Sequence, residues 1–288
     1  MCAVSAERGV DEPAVSEPKK VSRAGRNLPA AIAVGVVLGA GILLSLLAVR
    51  HVFIGVVAVA LAVGTFELAT ALRAAAGIRI PLVPVLVGGQ AMMWLVWPFG
   101  LEAAVVALAV TVLLSLLWRL PGGSEGYVRD VSATTLALGY VPLCGVFAVM
   151  LVLPEDGVAR VLTFLIGVIA SDVGGYAAGV LRGRHPMAPS ISPKKSWEGF
   201  AGSMTAGIIA GGLTVTFLLD GAVWQGVLFG AAIVLTATLG DLVESVIKRD
   251  MGIKDMGDLL PGHGGMMDRL DSLLPSAVVS WALLTAFV

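Results

Sequence analysis

The sequence predicts an all-α polytopic membrane protein with about nine transmembrane helices, its N-terminus cytoplasmic and its C-terminus extracytoplasmic. Three observations carry that prediction. Of 288 residues, 57% are apolar and only 14% charged, with a mean hydropathy of +0.93, whereas soluble domains are about a quarter charged. The apolar residues gather in runs that approach the roughly 20 helical residues needed to cross a hydrocarbon layer of about 30 Å. Lys and Arg alternate from one connection to the next. Net charge is −1, so the totals give no polyanion-binding surface. Cys2 and Cys144 make neither a disulfide framework nor a metal-ligand spacing.

Residues 1–27 are polar, with Pro13, Pro18, Lys19, Lys20, Arg23 and Arg26 and no apolar period, and read as a disordered cytoplasmic tail. The run 28–49 is too long for the h-region of a signal peptide, about 7–15 residues, and reads as a retained anchor. Further spans are expected at 52–72, 80–97, 100–118, 131–153, 158–181, 199–219, 222–247 and 273–288. The third is short and carries Pro81 and Pro84; the ninth has 16 residues and Pro275. With the N-terminus inside, 17 of the 19 Lys and Arg fall on the cytoplasmic side, leaving Arg50 and Arg160 outside. Losing one internal span would scramble that alternation. The chain divides into the tail, an N-terminal membrane region over 28–153, and a C-terminal catalytic region over 154–288 with cytoplasmic loops 182–198 and 248–272. No internal repeat is visible, which argues against an inverted-repeat transporter.

The unusual chemistry lies in those two loops and the spans beside them. Asp268 and Asp271 are three residues apart and share a face if helical. Hard carboxylate oxygens suit Mg²⁺, which leaves positions for water and phosphate. Just before them, Pro261-Gly262-His263-Gly264-Gly265 forms a turn whose glycines allow close backbone approach to an anion at a helix start. His263 is placed to donate to a phosphate or shuttle a proton. In the preceding span Asp241, Glu244, Ser245 and Lys248 recur at three- and four-residue spacing as one polar stripe. Charge at bilayer depth costs about 2.5–3.5 kcal/mol on insertion scales, so such a stripe faces the bundle interior or a wet cavity. Glu244 and Lys248 can simply pair at i,i+4; Asp241 has no such partner and is a candidate third metal carboxylate.

In the other loop Ser192-Pro193 reads as a helix start, an N-cap followed by proline at the first helical position. Lys194 and Lys195 would then lie in the first turn, against the helix dipole. That conflict makes sense if both bind a strong anion such as a triphosphate, while Arg182 and Arg184 serve as headgroup anchors. Asp172, beside Gly174 and Gly175 in the sixth span, points to close helix packing around a polar cavity. Glu67 and Glu102 are isolated and read as structural, or as partners of headgroup-level cations.

The stretch Ser245-x-x-Lys248-Arg249-x-x-x-x-Lys254-Asp255-x-x-x-x-x-Pro261-Gly262-His263-Gly264-Gly265-x-x-Asp268-Arg269-x-Asp271 resembles the signature of the phosphatidate cytidylyltransferase (CDP-diacylglycerol synthase) family. Pro189-x-x-Ser192-Pro193-Lys194-Lys195-x-Trp197-Glu198-Gly199, and Ser171-Asp172 with Tyr176, resemble further family motifs in the expected order. The specific resemblance covers residues 165–275. Ser196 replaces a frequent Thr and keeps its hydroxyl; Gly175 replaces a common Ala. The resemblance implies a Mg²⁺-dependent reaction of CTP with phosphatidic acid, giving CDP-diacylglycerol and pyrophosphate at the inner membrane. It implies a homodimer and carboxylates near the metal at Asp241, Asp268 and Asp271, with a second, monovalent cation (K⁺) as a further expectation. Ser192, Lys194, Lys195, Lys248, Arg249, Gly264, Gly265 and Asp172 are the expected substrate-binding positions. Two rivals stay open on the residues alone. A CTP-dependent polyprenol kinase would release CDP instead of pyrophosphate, and a secondary ion transporter would move solute without CTP.

Overall fold

A computed structural model describes residues 28–259 and 264–288; the expectation for the tail 1–27 lies outside the described residues. The apolar runs fold as helices: α1 (Leu28–Ala48), α2 (Arg50–Ala76), α3 (Leu82–Arg119), α4 (Tyr127–Leu138), α5 (Cys144–Val152), α6 (Gly157–Arg182), α7 (Trp197–Leu218), α8 (Val223–Asp250), α9 (Met267–Leu270) and α10 (Leu273–Phe287). α4 and α5 join through a π-turn at Gly139–Leu143, where Pro142 supplies no amide. Among the described residues seven helices are long and apolar enough to cross a membrane, and Gly39–Ala48 adds a shorter apolar helix.

The long helix α3 is two helices folded back on each other. Backbone at Gly100 is non-helical, at φ 72° and ψ −170°, just after Pro98. A Cβ built on Gly88 would fall 2.0 Å from Thr111 Oγ1, although an unbroken helix would hold those residues about 35 Å apart. The hairpin therefore turns where the sequence separates the stretches 80–97 and 100–118.

Polar contacts tie the connections together at each end. Arg50 donates to the carbonyls of Leu153 and Glu155. At the opposite end of α2, buried Asp130 accepts from Arg119 at 2.9 Å and from the Arg79 amide at 3.1 Å. Helices α6, α7 and α8 form the most tightly packed layer because small residues face each other. A Cβ on Gly174 would meet Gly202 O at 2.6 Å, and one on Gly230 would meet Gly207 O at 2.1 Å. This is the close approach that small residues permit between membrane helices, and it bears out the packing expected around Gly174 and Gly175.

One local expectation is overturned. Ser192 does not cap a helix. Residues Ser192–Ser196 form strand β2, paired antiparallel with β1 (Pro186–Ala188). The helix starts instead at Trp197, capped by Ser196, whose hydroxyl accepts from the Gly199 amide at 3.1 Å. Both serines carry cap chemistry. The cross-strand partner decides, because the Trp197 amide bonds His185 O and closes the hairpin before the helix begins. Glu198, in the first turn, locks that base by accepting from the amides of Arg184 and His185 and from His185 Nδ1. Lys194 and Lys195 thus lie on extended backbone, free of the dipole conflict.

Candidate active site

Helices α6, α7, α8 and the α9–α10 junction enclose a cavity of about 490 Å³, roofed by the β-hairpin. Asp172, Lys194, Lys195, Asp241, Lys248, Asp268 and Asp271 all line the cavity, so residues from four separate segments converge as the sequence expects. Asp172 sits on the α6 wall in electrostatic reach of Asp241, Lys195 and Arg269.

Two lysines carry ion pairs across the site. Lys195 Nζ pairs with Asp241 Oδ2 at 2.5 Å, linking hairpin to α8, and Ser245 Oγ donates to Asp241 Oδ1. Lys248 bridges Glu244 at 2.6 Å and Asp268 at 2.8 Å. Glu244 therefore makes the i,i+4 pair its spacing allowed. Its other oxygen, Oε1, is buried with no hydrogen-bond partner.

Asp268 is held by backbone as well. Its Oδ2 accepts the amides of Met256 and Gly265, both at 2.9 Å. Gly264 takes φ +81°, and a Cβ there would stand 3.1 Å from Asp268 Oδ2. The described part of the glycine turn thus cradles a carboxylate: the Gly265 amide points at Asp268. Asp271 accepts the Ser272 amide at 2.6 Å. Its carbonyl stands 2.3 Å from the position of a Cβ on Gly240, so only glycine lets α8 approach the α9–α10 junction there.

Arg249 and Ser192 do not line the cavity; Arg249 Nε donates to Ile191 O at 3.2 Å, fastening the hairpin tip. His263, with Pro261 and Gly262, lies outside the described residues. Among the described residues no three His, Cys, Asp or Glu side chains converge as a ready metal cage; Asp241 and Asp268 pair with Lys195 and Lys248 instead. The chemistry of the donors nevertheless fits a hard divalent cation, since Asp241, Asp268 and Asp271 bring carboxylate oxygens to one cavity. Sequence reasoning passed over Thr238 and Phe200, which also line the cavity and carry no motif, and gave no role to Arg269, which the signature contains and which lines it too.

Comparison with known proteins places the chain among its relatives. The model of the cytidylyltransferase family matches residues 29–287. A phosphatidate cytidylyltransferase of Mycobacterium bovis is 52% identical over 92% of this chain and 91% of its own length. One from Mycobacterium leprae is 49% identical over 93% and 90%. One from Helicobacter pylori is 41% identical over half of this chain and 53% of its own.

Proposed function

The chain belongs to the cytidylyltransferase family, and from that premise we propose that it transfers the cytidylyl group of CTP to phosphatidate, giving CDP-diacylglycerol and pyrophosphate. The observation that carries this reading is the single cavity between membrane-length helices in which hairpin lysines meet the carboxylates of α8, α9 and the α9–α10 junction.

Two anions must meet for this reaction, so neutralising charge and positioning are the main tasks. The lipid phosphate already carries most of its second charge near neutral pH, with a pKa of about 6. It therefore needs no strong base. Lys194 and Lys195 bind the triphosphate from the hairpin, and Arg249 keeps that hairpin closed through Ile191. Lys248 holds Asp268 and Glu244 in register. Asp241, Asp268 and Asp271 would hold Mg²⁺, which when bound would neutralise phosphate charge and favour departure of pyrophosphate. A lipid phosphate oxygen forms a bond to the α-phosphorus while the bond from that phosphorus to the α,β-bridging oxygen breaks, and pyrophosphate leaves with the electron pair.

The reading includes nine membrane crossings, a cytoplasmic N-terminus and an inner-membrane site facing the cytoplasm. The loop-by-loop distribution of Lys and Arg and the reversal at Gly100 support it. The family resemblance adds a homodimer and a monovalent cation, K⁺. Detergent-purified protein given labelled CTP, phosphatidate and Mg²⁺ should form a CDP-lipid and pyrophosphate in equal amounts. Release of CDP with a phosphorylated lipid alcohol would instead identify a kinase.

A further inference from the structure

Glu67 lies on α2, in the half of the chain that carries none of the motifs. The residue is nonetheless buried, at 8% exposure, and its carboxylate meets the loop and short helix that present Asp268. Glu67 Oε2 accepts the Met267 amide at 2.9 Å, across 200 residues of sequence. Met267 is the first residue of α9 and Asp268 the second. Both glycines around the loop are shaped by the same carboxylate: a Cβ on Gly257 would stand 2.7 Å from Glu67 Cδ, and one on Gly265 only 2.5 Å from Oε2. Gly265 itself, and Met256 just before Gly257, supply the two amides that fix Asp268. One turn earlier, a Cβ on Gly64 would touch Leu270 Cδ1 at 3.0 Å, so a single face of α2 lies along α9. Glu67 Oε1 is left with no hydrogen-bond partner.

Burying a carboxylate with one oxygen unpaired is costly, and an apolar side chain would fill the same space at less expense. What an apolar side chain lacks is an acceptor at the start of α9. We infer that Glu67 is a positioning residue for the proposed reaction: its Oε2 pins the Met267 amide and so sets where Asp268 stands relative to Lys248 and the cavity. The inference rests on that reading of the site. It requires an acceptor at the right reach rather than a negative charge, because the contact is to a backbone N–H.

That distinction gives the test. Glu67→Gln keeps an acceptor at the same distance. Glu67→Asp keeps the charge but falls one methylene short, and Glu67→Ala removes both. Calorimetric binding of Mg²⁺ with CTP and turnover are measured per folded molecule, with thermal melts as control. Groups that orient metal ligands typically matter by about 10–100-fold. Glu67→Asp and Glu67→Ala are expected to weaken Mg²⁺–CTP binding and lower kcat by about tenfold or more each, while Glu67→Gln stays within about threefold of the parent. Equal binding and turnover in the Asp and Gln variants would overturn the inference, as would losses confined to melting temperature. Should Glu67→Ala not fold, the Asp and Gln pair decides. If the parent binds Mg²⁺ and CTP but forms no CDP-lipid, the proposed reaction fails and the binding ratios alone decide Glu67. A parent that binds neither overturns both.

Discussion

Lys195 Nζ stands 2.5 Å from Asp241 Oδ2, joining the β-hairpin to α8 across the mouth of the cavity. Lys248 pairs with Asp268 at 2.8 Å on the inner wall. The two bridges look alike on paper and differ in burial. Lys195 and Asp241 keep 24% and 38% of their side-chain surface exposed, whereas Lys248 and Asp268 keep 13% and 5%. A half-exposed pair is worth about 0–1 kcal/mol, so the hairpin lysine can leave Asp241 for a phosphate at little cost. The inner lysine is a fixture.

The exchangeable lysine gives the first prediction. Glutamine at both Lys194 and Lys195 should raise the KM for CTP by about tenfold or more, because hydrogen bonds to charged groups are worth about 1.5–3 kcal/mol each. Melting temperature and kcat should change little, since neither side chain is part of the core. CTP saturation curves check this. An unchanged KM would return the pair to the role of anchors at the membrane face.

The fixed lysine behaves in the opposite way. Lys248→Met leaves the fully buried Glu244 and the Asp268 carboxylate without their shared cation. Breaking a buried pair from one side costs about 3–5 kcal/mol. The expected result is a large drop in melting temperature in detergent, seen before any substrate is added. A variant that melts like the parent would show that Glu244 and Asp268 do not depend on Lys248.

Helix packing around the cavity is tested by two glycines on neighbouring helices. An added methyl at Gly230 meets Gly207 O at 2.1 Å, while one at Gly212 meets nothing within 4 Å. Gly230→Ala must push α7 from α8, and overpacking of this kind costs about 1–3 kcal/mol or more. It should also lower turnover, because both helices wall the cavity. Gly212→Ala should be neutral or mildly stabilising, by up to about 1 kcal/mol of helix preference. Melting curves of the two variants, read side by side, separate the effects.

Much of this was legible in the sequence, and the exceptions have physical causes. Hydropathy located the helices because lipid leaves backbone groups no partner except their own helix. The boundary expected between 80–97 and 100–118 falls where Pro98 and Gly100 reverse α3. Asp172, Asp241 and Lys248 stood out as polar side chains in apolar spans, and Lys195, Asp268 and Asp271 by their spacing in the two cytoplasmic loops. Ser192-Pro193 misled because cap chemistry is local, whereas the choice between strand and helix there depends on His185 and Pro186 across the hairpin. Gly265 pointed to a phosphate when its amide in fact meets Asp268. Glu67 was read as an isolated acid because its partner, Met267, is 200 residues away.

Asp268 and Asp271 look equivalent in sequence, and their surroundings predict different failures. Asp268 accepts one ammonium and two backbone amides. An amide side chain there must turn its NH₂ toward one of those donors, leaving at least one buried donor unpaired at about 1–3 kcal/mol. Asp268→Asn should therefore lose both activity and several degrees of melting temperature. Asp271 receives only the neighbouring Ser272 amide among the contacts to its side-chain oxygens from backbone, and an asparagine oxygen can accept that bond unchanged. Asp271→Asn should abolish formation of the CDP-lipid while its melting curve stays close to that of the parent. Turnover and thermal melts on both purified variants distinguish the two roles. A folded Asp271→Asn protein with near-normal turnover would remove Asp271 from the metal-holding set and leave Asp241 and Asp268 to carry it.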